Sequence, residues 1–120
     1  MTRKIVLIDD SPEVSWLLRD IIEDMLGGSF SYYHEIDYVE DMLTKEKPDI
    51  VLIDYILGEK SGIDIAKKIL EIDPNQNVYL LTGYNLESIT PKVKNTGIKG
   101  IIPKPFEIND IKKLFLSTST

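Results

Sequence analysis

Five side chains suited to ionic or phosphoryl chemistry each follow a short apolar run in this chain. They are two adjacent carboxylates, Asp9 and Asp10, a third carboxylate, Asp54, a hydroxyl, Thr82, and an ammonium, Lys104. Three carboxylates held close together repel one another unless a cation compensates them. With no cysteine and a single histidine in the chain, the expected cation is a hard, oxygen-binding one, Mg²⁺ or Mn²⁺.

These residue types match the requirements of phosphoryl transfer. A carboxylate can act as the nucleophile and become an aspartyl phosphate. The reaction depends mainly on positioning and charge neutralisation, so Lys104 and Thr82 would hold the phosphoryl oxygens. Each residue alone also has a plain structural explanation, because Asp10 suits a helix start, Asp54 and Thr82 suit turns, and Lys104 suits solvent. Their joint occurrence at four of five predicted strand ends favours the functional interpretation.

Short β-branched apolar runs predict the buried strands that would position these side chains. A fifth run, Phe30–Glu35, is more aromatic and polar, as expected of an edge strand. The four clear runs are Lys4–Ile8, Asp49–Ile53, Val78–Leu81 and Lys99–Ile102.

Helical patterns lie between these runs. The first is an apolar stripe that begins after Ser11–Pro12, an N-cap with a first-turn proline, and ends at Gly27–Gly28. The stripe comprises Val14, Leu17, Leu18, Ile21, Ile22 and Met25. The other predicted helices lie around Ile65–Leu70 and Ile108–Phe115, over Val39–Lys45, and from Thr90–Pro91 onward.

Five alternations of strand and helix predict an α/β fold, a doubly wound parallel sheet with helices on both faces. The short loops predict a single domain over residues 1–120, in which residues 117–120 form a tail or the start of a linker. Ligands of such sheets bind beyond the carboxyl ends of the strands. The five side chains described above all follow predicted strands at that edge.

Composition narrows the classes of function. The net charge is −6 and the isoelectric point is about 4.7, which disfavours direct binding of nucleic acid because such proteins carry a basic face. No apolar stretch approaches the roughly 20 residues that span a bilayer. Asp9 and Asp10 interrupt the N-terminal apolar run too early for a signal peptide. We therefore expect a soluble, cytoplasmic protein without membrane partners.

Several segments resemble the receiver domain of bacterial and archaeal two-component response regulators. The resemblance covers Lys4 to Leu116 and includes the Lys-Pro-Phe ending that begins at Lys104. The matching segments are residues 5–10, 49–54, 61–62, 80–83 and 104–106.

This resemblance implies a flavodoxin-like, five-stranded sheet of order 2-1-3-4-5 and a phosphorylation switch. Asp54 would accept a phosphoryl group from a sensor histidine kinase, a phosphotransfer protein or a small phosphodonor. Asp10 and Asp54 would bind Mg²⁺ directly with the backbone carbonyl of Ile56, while Asp9 would act through a metal-bound water. The protein would control an output domain or partner and would catalyse only its own phosphoryl transfer and slow dephosphorylation; a homodimer is left open.

The resemblance also assigns the residues around the phosphoryl group. Thr82 and Gly83 would bind it, Lys104 would pair with it, and the bond before Pro105 would be cis.

The chain departs from the usual pattern of this family at two positions. Family members usually carry an aromatic residue three positions before the lysine, where this chain has Ile101, so the switch should be weaker, with Tyr84 as a substitute aromatic. A proline is common four positions after the acceptor, where this chain has Gly58, which predicts a looser loop. Ile56 and Tyr84 would flank the path of the hydrolytic water and slow dephosphorylation.

Three other functions fit these residues less well than a receiver does. A phosphatase with an aspartate nucleophile should carry a second aspartate where Ile56 stands. A nucleotide or flavin binder should have a glycine-rich loop in place of Asp9–Asp10–Ser11–Pro12. An interaction module with a vestigial site is disfavoured because all the acids and the lysine are present.

The remaining aromatic and imidazole side chains are less informative. Trp16 should be partly exposed, and Tyr32, Tyr33 and Tyr38 should serve in edge and surface packing. His34 should lie on the edge strand, remote from the acids and without a ligand role.

Overall fold

A parallel five-stranded sheet forms the centre of the protein. The computed structural model describes residues 3–83 and 85–117. Two short strands precede the third helix, so the main sheet has the order β2-β1-β3-β6-β7, which is the predicted 2-1-3-4-5 order. The strands are β1 (Lys4–Ile8), β2 (Ser29–Tyr33), β3 (Ile50–Asp54), β4 (Ile56–Leu57), β5 (Lys60–Ser61), β6 (Asn77–Thr82) and β7 (Gly100–Pro103).

In the described part of the chain, four α-helices connect strands and a fifth follows the last strand; together they cover both faces of the sheet, as predicted. The first continues directly into a π-helical turn at residues 20–25. Within the described part of the chain, no helix is long and apolar enough to span a membrane. The predicted tail lies outside the described residues except for Ser117, where the last helix ends. The helices are α1 (Pro12–Arg19), α2 (Val39–Glu46), α3 (Gly62–Ile72), α4 (Leu86–Val93) and α5 (Ile108–Ser117).

Alternation along the strands divides the apolar core into two layers. Successive residues of a strand point to opposite faces. Ile5 and Leu7 accordingly pack with α1, the π-helical turn and α5, whereas Val6 and Ile8 pack with α2, α3 and α4. Because the central strands are buried on both faces, their sequences are continuously apolar.

The segment after Asp54 is a short hairpin, so the predicted looser loop is wrong. Ile56 pairs with Ser61, and Leu57 pairs with Lys60 in antiparallel register. Gly58 has a φ of 61° and occupies the first turn position, where a two-residue hairpin with positive φ requires glycine. The glycine therefore shapes this segment instead of loosening it.

The first helix buries a narrower stripe than its sequence predicts. Leu18, Ile21 and Ile22 are buried, but Leu17 and Met25 are largely exposed. The turn at residues 20–25 is π-helical, with the N–H of Leu26 bonded to the carbonyl of Ile21, and the wider turn displaces Met25 from the stripe. Trp16 is 64% exposed, which confirms its predicted exposure.

The fourth helix begins earlier than predicted. It starts at Leu86 after Asn85, whose side-chain oxygen accepts a hydrogen bond of 2.8 Å from the N–H of Glu87. This N-cap removes the need for a proline at the helix start. Pro91 lies inside the helix, which ends two residues later at Val93, so the prediction of a start near Thr90–Pro91 is wrong.

The start of α3 lies against the backbone at the end of β3. The N–H of Gly62 donates to the carbonyl of Tyr55 at 2.7 Å, and the side chain of Ser61 accepts from the N–H of Ile63. A Cβ at Gly62 would lie 2.1 Å from the carbonyl oxygen of Asp54. Only glycine allows this approach, which anchors α3 beside Asp54.

We expect Gly62→Ala to lower the free energy of unfolding by about 2 kcal/mol or more, because the added methyl group forces backbone atoms apart. Urea denaturation followed by circular dichroism measures the change. Gly83→Ala is the matched control, since the nearest atom to its Cβ would be 3.9 Å away. Equal unfolding midpoints for the two variants would contradict the close approach.

Candidate functional site

Three carboxylates meet at the carboxyl edge of the sheet. Asp9 and Asp10 follow β1, and Asp54 ends the adjacent β3; the pairing of Ile8 with Ile53 aligns the two strand ends. One oxygen from each carboxylate lies within 4.8 Å of the others. Asp9 is buried, Asp54 is partly buried and Asp10 is exposed. The structure thus brings together the three predicted acids.

Lys104 enters the same site from the last strand. Its Nζ lies 3.0 Å from Oδ2 of Asp9 and 3.4 Å from Oδ2 of Asp54. Only 24% of its side chain is exposed, and the Asp9 side chain is fully buried. The plain alternative given above, a lysine that is simply solvated, is therefore wrong, because the ammonium compensates the buried charge of Asp9.

Backbone contacts hold the remaining predicted residues around these groups. Asp9 accepts a 2.8 Å hydrogen bond from the N–H of Ser11. The N–H of Lys104 donates to the carbonyl of Thr82 at 2.8 Å, which joins the ends of β6 and β7. Thr82 is 1% exposed, Gly83 follows it beside Lys104, and the Lys104–Pro105 bond is cis.

The environment of Asp54 disfavours its ionised form. Burial raises its pKa first and the negative charge of Asp9 second, while Lys104 and the backbone N–H of Ile56 oppose the rise only in part. With all three carboxylates ionised, Lys104 alone leaves two negative charges uncompensated. A divalent cation with oxygen ligands matches that charge and that donor set, so the residues fit the predicted Mg²⁺ or Mn²⁺.

The comparison with known proteins supplies the family. The family described as response regulator receiver domain matches residues 5–115. The chain belongs to this family. The resemblance inferred from the sequence is confirmed, and with it the coarse assignment to two-component signalling.

Relatives of this receiver domain include small signalling proteins of similar length. The chain is 30% identical over 112 residues to sporulation initiation phosphotransferase F of Bacillus subtilis, covering 93% of this chain and 90% of the relative. It is 27% identical over 111 residues to the chemotaxis protein CheY of Thermotoga maritima, with 89% of each covered. The structure of Vibrio cholerae chemotaxis protein CheY4 has the same fold, with a TM-score of 0.86 at 16% identity over 99% of this chain and 100% of that one.

The side chains predicted to modulate the switch and the access of the hydrolytic water occupy different surroundings. Ile56 is 39% exposed on the hairpin after Asp54. Ile101 is partly buried on β7 and packs against the core layer of α2, α3 and α4. Tyr84 lies outside the described residues, so its predicted roles stay predictions.

His34 lies nearer the acids than predicted. It follows β2 and shares with Asp10 the lining of a cavity of about 320 Å³, formed also by the hairpin residues Leu57 and Lys60. The predicted place of His34 on the edge strand is wrong, because β2 ends at Tyr33 and His34 follows it at the carboxyl edge of the sheet. The absence of a ligand role stays a prediction.

The sequence interpretation missed a contact between Tyr55 and Lys92. Lys92 Nζ donates to the Tyr55 hydroxyl at 3.2 Å and lies 5.9 Å from the centre of its ring. Tyr55 directly follows Asp54, and Lys92 belongs to α4. The only signal in the sequence was an aromatic residue next to the predicted acceptor, and nothing there pointed to α4 as its partner.

We expect Asp54→Asn to raise the melting temperature near neutral pH without divalent cations. A raised pKa means that the folded state binds the proton of Asp54 more tightly than the unfolded chain does. The corresponding stability is present below the ordinary aspartate pKa of about 3.9 and is lost as pH rises through the raised value. Asparagine does not ionise and so avoids this loss. The difference in melting temperature between Asp54→Asn and wild type should therefore shrink toward about pH 3.

Thermal melts followed by circular dichroism at both pH values test this expectation. Asp64→Asn is the control, because Asp64 is exposed in the first turn of α3 and favours the helix when charged. A lower melting temperature of Asp54→Asn than of wild type at neutral pH would be inconsistent with net repulsion at Asp54.

Proposed function

We propose that this receiver domain is a phosphorylation-dependent switch whose acceptor is Asp54. The observation that carries the proposal is the convergence of three carboxylates with Lys104, which lies 3.4 Å from Asp54 and 3.0 Å from Asp9. In the reaction, a carboxylate oxygen of Asp54 attacks phosphorus, the bond from phosphorus to the donor breaks, and the donor leaves with that electron pair.

The acids would share the work of holding Mg²⁺ or Mn²⁺. Asp10 and Asp54, with the backbone carbonyl of Ile56, would ligate the cation, and Asp9 would act through a bound water. When bound, the cation neutralises charge on the transferring phosphoryl group. Lys104 would move from its carboxylate partners to the phosphoryl oxygens. Thr82 and Gly83 would donate further hydrogen bonds to those oxygens.

The phosphodonor would be a sensor histidine kinase or a phosphotransfer protein. Relatives named as a sporulation phosphotransferase and a chemotaxis protein support a partner in a signalling relay. A solved receiver domain described as activated by BeF3 is 26% identical with a TM-score of 0.78, over 98% of this chain and 99% of that one, and supports a response to a phosphoryl analogue. We place the protein in the cytoplasm as a single domain that controls an output domain or partner, without binding nucleic acid itself.

The conformational response would pass through Thr82 and Ile101. Ile101 lacks the ring and polar group of the usual aromatic residue, so we expect a packing change of smaller amplitude there. Tyr55 already contacts Lys92 of α4, which gives a second connection from the acceptor segment to that helix.

Treatment with acetyl phosphate and Mg²⁺ should add one phosphoryl group, detected by intact-protein mass spectrometry. Asp54→Asn should abolish the adduct because it removes the nucleophilic oxygen, and Asp64→Asn should retain it. An adduct that persists in Asp54→Asn would rule out Asp54 as the acceptor. Omission of Mg²⁺ should slow the reaction strongly, since the repulsion among the acids is then uncompensated.

Ile56→Asn should shorten the lifetime of the phosphorylated protein several-fold. The asparagine amide can orient a water toward phosphorus, whereas the apolar, partly exposed isoleucine cannot. Release of inorganic phosphate after removal of the donor measures the lifetime. Ile72→Asn is the control, because Ile72 is similarly exposed at the far end of α3. Equal lifetimes in Ile56→Asn and wild type would refute a role for this side chain.

A further inference from the structure

The hydroxyl of Tyr32 lies close to the acidic site from an unexpected direction. Tyr32 on β2 pairs with Leu7 on β1, and both contribute to the core layer of α1 and α5. Asp9 lies two positions after Leu7, so by strand alternation it falls on the same face of the sheet. Aromatic side chains reach diagonal neighbours across a strand pair, and the charges of Asp9, Asp10 and Glu13 act on the Tyr32 hydroxyl, which puts it within electrostatic range of the acids.

This hydroxyl is buried and, within residues 3–83 and 85–117, has no hydrogen-bond partner. The adjacent Tyr33 differs, because its hydroxyl donates to Glu46 at the opposite side of the sheet. Buried side-chain polar atoms are normally paired. An unpaired donor beside a set of carboxylates is therefore a candidate for a bond made in another state of the site.

Burial and nearby negative charges keep the Tyr32 hydroxyl protonated, so it can donate a hydrogen bond. Burial raises its pKa first, followed by the negative charges of Asp9, Asp10 and Glu13. The phenol consequently retains its proton throughout the physiological range. The charged groups that act on it, Asp9, Asp10 and Glu13, are all hydrogen-bond acceptors.

Asp9 is the acceptor whose bonding changes during the proposed reaction. Its Oδ1 accepts from the N–H of Ser11 and its Oδ2 accepts from Lys104. When Lys104 pairs with a phosphoryl group, Asp9 keeps the Ser11 N–H and the proposed metal-bound water but has one donor fewer while it stays buried. Loss of a hydrogen bond to a buried charged group is costly, and Tyr32 offers an uncommitted O–H on the same side of the sheet.

We propose that Tyr32 is a positioning residue of the phosphorylated state, whose hydroxyl replaces Lys104 as the donor to Asp9. This inference rests on the proposed function, because it requires Lys104 to transfer to a phosphoryl group at Asp54. Tyr32 would thus stabilise the phosphorylated form selectively and contribute little before phosphorylation.

Binding of beryllofluoride, a phosphoryl analogue, in saturating Mg²⁺ tests this role in Tyr32→Phe. Titration calorimetry should show beryllofluoride affinity about tenfold weaker than in wild type, as for loss of one hydrogen bond to a charged group. The melting temperature without ligand should be unchanged or higher, since an unpaired buried hydroxyl is removed. The rise in melting temperature on adding Mg²⁺ and beryllofluoride should be smaller than in wild type.

Tyr33→Phe is the matched control, since it removes the neighbouring hydroxyl and its bond to Glu46. It should melt lower than wild type without ligand but keep the full affinity for beryllofluoride. If Tyr32 had a purely structural role, Tyr32→Phe would melt lower by the same amount with and without Mg²⁺ and beryllofluoride, and its affinity for beryllofluoride would be unchanged. That result would overturn the role of Tyr32 but leave the proposed function intact. If wild type itself bound no beryllofluoride, the proposed function would fail, and this inference with it.

Discussion

Repulsion among three carboxylates is the constraint on which the rest of the site depends. Parallel pairing of β1 with β3 aligns two strand ends and places Asp9, Asp10 and Asp54 within a few ångströms of one another. Lys104 compensates part of this charge, but the pKa of Asp54 remains raised. The folded protein therefore holds the site in a state that a divalent cation or protonation of Asp54 would stabilise.

The surrounding structure keeps the acids together despite that repulsion. Buried apolar strands, packed on both faces, resist separation at the edge because separation would expose two core layers. The glycine at the start of α3 lets that helix approach the backbone of Asp54 closely. The hairpin after Asp54 then restricts the chain that leaves the site. A site of this kind needs a rigid scaffold beneath it, and the sheet provides one.

The alternation of strands and helices predicted a parallel sheet with helices on both faces and the convergence of the acids with Lys104, because apolar periodicity and strand-end position depend on local residues. The order of the strands followed from the family resemblance. Features that depend on tertiary context were not predicted. The sequence does not show that Asn85 rather than Pro91 sets a helix start. It likewise does not show that a π-helical turn exposes Met25. Glycine in place of the common proline predicts looseness at position 58, whereas the positive φ of Gly58 closes a hairpin.

The ion pair between Lys104 and Asp9 joins residues 95 positions apart, so it restricts the order in which the molecule can be assembled. During synthesis, β1 and β3 can pair long before Lys104 has left the ribosome. Until it arrives, the buried Asp9 has no cation from the protein, and a nascent chain that formed the central strands would carry an unbalanced charge. The charge at this edge of the sheet is therefore compensated only once Lys104, which follows β7, has joined it, and a chain truncated before residue 100 would lose that compensation together with β7.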